Sequence, residues 1–227
     1  CAIWQCLWGE KKENLDRILI TASGGPFRGW SREQLTEVTV DKALNHPTWK
    51  MGEKITIDCA TMINKAFEII EAYYLFGYSY DNIEVILHDE SNIHSMVKYN
   101  DGLYRADINK PDMKNPIKFA LFEGKTQYKT FTTYDYNKFG NYHFHKFNID
   151  RYPSVKYAEK VIKDKGTYGA VFNASNEIAN LAFRNGKISF LDIDKIVSYE
   201  MEKHINNEKP SLKDLVLCDQ QIKNEQK

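Results

Sequence analysis

One segment, MGEKITIDCATMINKAFEIIE at positions 51–71, carries side chains that could bind a phosphate and a metal ion. Its apolar spacing predicts a helix over 60–76, with Asn64, Lys65 and Glu68 together on the polar side. An amide and an ammonium at the first turn, beside free helix N–H groups, suit a phosphate. A carboxylate one turn later suits a divalent cation, which prefers oxygen ligands. The alternative is the solvated face of an ordinary amphipathic helix.

The residues just before this helix favour the ligand interpretation. The run KITID predicts a short buried strand, which places Asp58 and Cys59 at its end. Open α/β folds bind ligands at the carboxyl ends of their strands. A metal and a phosphate could therefore lie at opposite ends of one small molecule on this helix.

A glycine turn follows a second apolar run. DRILITA predicts a buried strand, and SGGP at 23–26 ends it. The glycines would let backbone amides approach a ligand, and Ser23 adds a hydroxyl. A tight turn without a ligand explains the same string, since no GxGxxG or GxxxxGK[ST] fingerprint occurs in the chain.

In the loop HPTWKMG at 46–52, Pro47 and Gly52 break regular structure around three bulky side chains, His46, Trp49 and Met51. Large side chains on a loop are typical of a lid that closes over a substrate. The alternative is that Trp49 packs the loop against the core.

Composition excludes several classes of protein. The 227 residues carry 31 basic and 31 acidic side chains, so no global field favours nucleic acid or an anionic membrane. Four irregularly spaced cysteines argue against a disulfide framework or a zinc site and favour a reducing compartment. No stretch approaches the ~18 apolar residues of a membrane-spanning helix. We expect a soluble, cytoplasmic protein, or an organellar one if a targeting leader was removed.

The order of elements predicts an α+β fold. We expect a central mixed α/β catalytic domain with a β-sheet over 1–121, a linker over 122–149, and a small C-terminal four-helix bundle over 150–227. Strands are predicted at 83–87 and 93–99, and the C-terminal helices at 154–165, 168–185, 192–206 and 211–226. In the string NASNE at 173–177, within the second of these C-terminal helices, Asn173 and Asn176 could cap a helix or reach back into a site.

Several strings together resemble the 1-deoxy-D-xylulose 5-phosphate reductoisomerase family of the non-mevalonate isoprenoid pathway. They cover almost the whole chain to about residue 200, in the family's order: ASGGPFR, HPTWKMGEKITIDCATMINKAFEIIEA, EVILHDESNIHSMV, PDMKNPI, DRYPSVKYA and FNASNEIA. The resemblance implies an NADP-dependent oxidoreductase and isomerase that binds a phosphorylated sugar and uses NADPH and Mn²⁺, Mg²⁺ or Co²⁺. It also implies a homodimer.

The resemblance assigns roles to individual residues. Ser23, Cys59, Asn64 and Lys65 match the positions that hold the substrate phosphate, and Glu68 matches a metal ligand that also acts in catalysis. His46, Trp49 and Met51 match the flap over the substrate, with His46 also a catalytic position. Met51 and Gly52 lie where the flap meets the nicotinamide cofactor.

The chain also departs from the family pattern. The other two metal ligands and the NADPH-binding domain are expected upstream of Cys1, so this stretch alone should not catalyse the reaction. Cys59 replaces a serine, and a thiol is a poorer donor to phosphate than a hydroxyl. The alternative function is an impaired homologue that binds another phosphorylated ligand or serves as a dimer scaffold.

Overall fold

The computed structural model describes residues 1–46, 49–125 and 140–225. The chain divides into two compact units, each built from two stretches of sequence. The sheet unit comprises Cys1–Ser23 and Asp81–Phe147, and the helical unit comprises Gly24–Tyr80 and Asn148–Lys227. The domain boundaries at 121 and 149 stay a prediction, and much of the expected linker lies outside the described residues.

The sheet unit contains a mixed five-stranded sheet in the order β4-β3-β1-β2-β5. β1 pairs in parallel with β2, whereas the other pairs are antiparallel. The strands are β1 (Leu15–Ala22), β2 (Ile83–His88), β3 (Ile93–Tyr99), β4 (Tyr104–Ile108) and β5 (Phe144–Lys146). Two helices, α1 (Ala2–Leu7) and α5 (Lys114–Phe122), belong to the same unit. The predicted strand before Ser23 and those at 83–87 and 93–99 are confirmed.

The helical unit joins the segment that carries most candidate site residues to the C-terminal helices. Its α-helices are α2 (Val40–Leu44), α3 (Glu53–Thr61), α4 (Ile63–Phe76), α6 (Ser154–Asp164), α7 (Tyr168–Arg184), α8 (Phe190–Lys203) and α9 (Leu212–Glu225). The four predicted C-terminal helices are present within a few residues of their expected bounds. They do not stand apart as a separate compact unit, because α6 packs on α4 and α7 packs on α3.

The predicted strand KITID is wrong, because these residues lie in α3. Their β-branched composition resembles a strand, but Lys54 and Asp58 sit four residues apart and form an ion pair across one helical turn. Thr56 also donates from its hydroxyl to the carbonyl of Gly52, four residues back. Both bonds join residues four apart, a spacing that a helix brings together and an extended strand does not.

Within the described ranges, no helix is both long enough and apolar enough to cross a membrane.

Candidate functional site

The candidate site is built around the junction between α3 and α4. Met62 separates the two helices in the left-handed conformation, with φ 63° and ψ 12°. This conformation is unfavourable for a residue with a side chain, but Met62 is 1% exposed and packs in the core. Just before it, the carbonyl of Thr61 accepts a 2.9 Å hydrogen bond from the hydroxyl of Ser154 on α6. The single helix predicted over 60–76 therefore begins at Ile63.

The first turn of α4 presents the polar group that the sequence predicted. Lys65 Nζ lies 2.8 and 2.9 Å from the two carboxylate oxygens of Glu68. Asn64 Nδ2 lies 3.4 Å from Glu68 Oε1. Asn64 Oδ1 is buried and has no hydrogen-bond partner in the described part of the chain. A buried acceptor without a partner is unfavourable, so a ligand or water that donates to it would stabilise the site.

The glycine turn packs against the last turn of α3. Gly25 has φ +66°, and a Cβ atom placed on it would lie 3.0 Å from the carbonyl oxygen of Cys59. Only glycine permits both this conformation and this close approach. Ser23 closes the sheet unit just after β1, whereas Gly24 and Gly25 begin the helical unit.

Burial raises the pKa of the Cys59 thiol to about 12, and the positive charge of Lys65 offsets only part of that effect. Cys59 is therefore a neutral thiol at physiological pH. A neutral S–H group is a weak hydrogen-bond donor, so its contribution to anion binding is smaller than that of a hydroxyl.

A hydrogen bond joins two residues of the predicted flap. The backbone N–H of Trp49 donates to His46 Nδ1 over 3.0 Å, which assigns the acceptor role to that nitrogen. Burial lowers the pKa of His46, and the nearby charge of Lys65 lowers it further. His46 is therefore a neutral imidazole at pH 7. Trp49 and Met51 are half-buried and Gly52 is exposed, while Pro47 and Thr48 lie outside the described residues.

The carboxylates of α4 offer only part of a metal site. Burial raises the pKa of Glu71, and the negative charge of Glu68, one turn earlier, raises it further. Oxygen ligands of this kind suit a divalent cation. No group of three or more His, Cys, Asp or Glu side chains within the described ranges could hold a metal ion. Glu68 is thus a carboxylate that could bind a cation, without a group of three such side chains around it in the described part of the chain.

The structure brings together most of the predicted residues. The charge of Lys65 acts to lower the pKa of both His46 and Cys59. Lys65 also forms an ion pair with Glu68. Sequence reasoning missed two features, the backbone contact of Gly25 and the partners of Asp58. Asn176 reaches the Asp58 carboxylate over 3.0 Å, whereas Asn173 bonds to Glu177 on its own helix. The sequence string NASNE had indicated that Asn176 could make a contact outside its own helix.

Family models and individual relatives agree on one family. A model described as the 1-deoxy-D-xylulose 5-phosphate reductoisomerase C-terminal domain matches residues 1–76, and one described as the DXP reductoisomerase C-terminal domain matches residues 108–225. The chain is 46% identical over 219 residues to the reductoisomerase of Exiguobacterium sibiricum, covering 96% of this chain and 57% of that protein. For Listeria innocua the identity is 43% over 223 residues, covering 98% and 59%.

Solved structures give the same result. The reductoisomerase of Zymomonas mobilis in complex with NADPH aligns with a TM-score of 0.90 and 39% identity, covering 99% of this chain and 58% of that one. A reductoisomerase in complex with NADPH, fosmidomycin and magnesium aligns with a TM-score of 0.89 and 32% identity, covering 99% and 60%. This chain thus spans less than two thirds of the length of these relatives. It belongs to the 1-deoxy-D-xylulose 5-phosphate reductoisomerase family.

Proposed function

We propose that the full-length protein containing this chain converts 1-deoxy-D-xylulose 5-phosphate into 2-C-methyl-D-erythritol 4-phosphate, using NADPH and a divalent metal. The observation that carries the proposal is the first turn of α4. It presents an amide, an ammonium and a carboxylate within one helical turn. The related structures that contain NADPH and magnesium support the choice of cofactors.

Lys65 and Asn64 form the phosphate end of the site in this proposal. Lys65 supplies a positive charge, and Asn64 supplies an amide at the start of a helix, where backbone N–H groups favour an anion. Ser23 and Cys59 complete the set of phosphate ligands that the family resemblance assigns. Because the Cys59 thiol is neutral and a weak donor, most of the binding energy comes from Lys65 and backbone N–H groups.

Glu68 forms part of the metal end. A bound divalent cation would supply a Lewis acid that polarises substrate oxygens. The carboxylate of Glu68 is engaged by Lys65 in this structure, so Lys65 must turn away before Glu68 can bind a cation with both oxygens. The substrate phosphate offers Lys65 an alternative partner, which couples the two ends of the site.

The segment from His46 to Gly52 acts as the flap. Trp49 and Met51 cover the substrate and exclude water, while Gly52 lies towards the nicotinamide. A neutral His46, held by the backbone N–H of Trp49, orients the substrate by hydrogen bonding without adding a second positive charge beside Lys65.

The protein forms a homodimer through the sheet unit. All nine residues of α5 are at least partly exposed, including Ile117 at 51% and Leu121 at 74%. The edge strand β4 also has no buried residue. Exposed apolar side chains on α5 and on β4, an edge strand of the described sheet, suit a second copy of the same chain. Sedimentation of the full-length protein as a monomer at micromolar concentration would contradict this assembly.

Oxidation of NADPH by the full-length protein, in the presence of 1-deoxy-D-xylulose 5-phosphate and Mn²⁺, tests the proposed activity. Glu68→Gln keeps the shape of the side chain but removes its charge, and it should abolish turnover. Glu177→Gln is the control, because it removes a carboxylate that pairs with Lys223 on α9. The proposal is wrong if the unmodified protein does not oxidise NADPH, and the role of Glu68 is wrong if Glu68→Gln turns over at the same rate.

A further inference from the structure

One face of α7 is bonded to the first two turns of α3. Asn176, Asn180 and Arg184 recur every four residues and therefore share this face. Arg184 Nη1 lies 3.0 Å from Glu53 Oε2 at the start of α3. Arg184 also donates from Nε to Asn180 Oδ1 over 2.9 Å, which fixes the orientation of the Asn180 amide.

The centre of this contact is the buried carboxylate of Asp58, which is 2% exposed. It accepts hydrogen bonds from Lys54 Nζ at 2.8 Å, Asn176 Nδ2 at 3.0 Å and Asn180 Nδ2 at 2.9 Å. The two asparagines are 0% exposed. A carboxylate is tolerated at such depth only when donors satisfy it. These bonds therefore fix the distance between α7 and α3.

Asn180 also bonds to the backbone of α3. Asn180 Nδ2 lies 3.0 Å from the carbonyl oxygen of Lys54, one turn before Asp58. Together with the bond from Ser154 to Thr61 at the other end of the helix, this contact ties α3 at two points to the C-terminal helices.

The location of α3 matters because both parts of the candidate site depend on it. Cys59 follows Asp58 directly, and α3 begins immediately after Gly52, where the flap ends. A shift of α3 would displace Cys59, the junction at Met62 and the base of the flap together. Displacement of binding groups by ~1 Å is enough to lower catalytic efficiency strongly.

We propose that Asp58, Asn176 and Asn180 are positioning residues that set the phosphate-binding turn and the base of the flap through the location of α3. This inference rests on the proposed function, since it assigns these residues to the same site. All three are buried, with at most 2% exposure. They act by holding the helix that carries Cys59 and leads into the first turn of α4.

Steady-state kinetics of full-length variants test this role. Asn180→Ala removes the bonds to both Asp58 and Lys54, and we expect the KM for 1-deoxy-D-xylulose 5-phosphate to rise about tenfold, the factor that ~1.4 kcal/mol of lost binding gives. Because KM does not depend on the fraction of folded enzyme, it separates misplacement of the site from simple loss of stability. The Kd for inorganic phosphate, measured by calorimetry, should rise in parallel.

Two further variants sharpen the test. Asn176→Ala removes one of the bonds to Asp58 but keeps both bonds from Asn180, to Asp58 and to the Lys54 carbonyl, and it should raise KM by less than Asn180→Ala does. Ser175→Ala is the matched control, because Ser175 is equally buried on α7 but its hydroxyl, among the described residues, bonds to carbonyls of that helix. It should lower the melting temperature without changing KM.

An Asn180→Ala enzyme with an unchanged KM and phosphate Kd would overturn the inference, whatever its melting temperature. An Asn176→Ala enzyme whose KM rises more than that of Asn180→Ala would overturn the larger role given to Asn180. Failure of the unmodified protein to oxidise NADPH with this substrate is a separate outcome, which refutes the proposed function.

Discussion

Lys65→Gln should raise the affinity of the full-length protein for Mn²⁺ when no phosphate is present. In the structure, the ammonium of Lys65 engages both carboxylate oxygens of Glu68, at 2.8 and 2.9 Å. A cation that binds Glu68 must displace this ion pair. Glutamine keeps most of the length of the side chain but lacks the charge, so it competes less for the carboxylate and repels the metal less.

The strength of the ion pair sets the size of this effect. The Lys65 side chain is 14% exposed and that of Glu68 is 39% exposed, so solvent screens the pair and the value for exposed pairs applies. Such pairs contribute about 0.5–1 kcal/mol. Releasing Glu68 from the pair should therefore raise Mn²⁺ affinity about two- to fivefold.

The same ion pair predicts a coupling between phosphate and metal. Inorganic phosphate draws Lys65 away from Glu68, so it should raise Mn²⁺ affinity in the unmodified protein by up to about the same two- to fivefold factor. Mn²⁺ should raise phosphate affinity equally, because such coupling is reciprocal. In Lys65→Gln, phosphate should leave Mn²⁺ affinity unchanged.

Electron paramagnetic resonance of free Mn²⁺ measures both effects and accounts for the Mn²⁺ that phosphate binds in solution. Lys160→Gln is the control, because Lys160 forms a comparable ion pair with Asp164 on α6. If Lys65→Gln binds Mn²⁺ with the same or lower affinity than the unmodified protein, the reasoning is wrong. The ion pair would then not compete with Mn²⁺ for the Glu68 carboxylate.

Three further measurements test other parts of the molecule. Cys59→Ser should lower the KM for the phosphorylated substrate about five- to tenfold, because a hydroxyl donates to phosphate better than a neutral thiol, and an unchanged or higher KM would contradict this role. Gly25→Ala should lower the denaturation midpoint more than Gly29→Ala, since both have positive φ but only Gly25 faces a backbone carbonyl at 3.0 Å; equal losses would exclude that contact. The hydrogen bond that the His143 ring donates to the Glu90 carboxylate raises the pKa of His143, so NMR should place its titration above 6.5, with Glu90→Gln moving it back towards the ordinary value. The stability from this pair is complete between about pH 4.5 and 6.5; it is lost as pH rises through the raised pKa of His143 and as pH falls through the lowered pKa of Glu90.

The polar turn of α4 could be predicted from the sequence because it depends only on local spacing. Asn64, Lys65 and Glu68 share one side of any helix that contains them, wherever that helix begins. An error of three residues in the predicted start therefore did not disturb the assignment of this group. The strands predicted before Ser23 and at 83–87 and 93–99 were correct for a similar reason, since each apolar run lies within one element, whereas the run KITID lies in a helix.

The left-handed break at Met62 could not be predicted in this way. Residues in this conformation are usually glycine or asparagine, and methionine gives no local signal for it. The break is stabilised from outside the segment, by burial of the Met62 side chain and by the bond from Ser154 to the preceding carbonyl, across 93 positions of sequence. Both causes are tertiary, so a periodicity argument continues the helix through the break.

Asp58 carried a signal of a different kind. A carboxylate between Ile57 and Ala60, which are 0% and 1% exposed, needs donors that the surrounding apolar residues cannot supply. Lys54 is the local donor, and the others lie 118 and 122 positions away on α7. The sequence therefore shows that Asp58 needs hydrogen-bond donors, but only the packing of α7 identifies them. Since those donors sit on a helix beyond the candidate site, substitutions there can alter substrate binding without touching a ligand-binding residue.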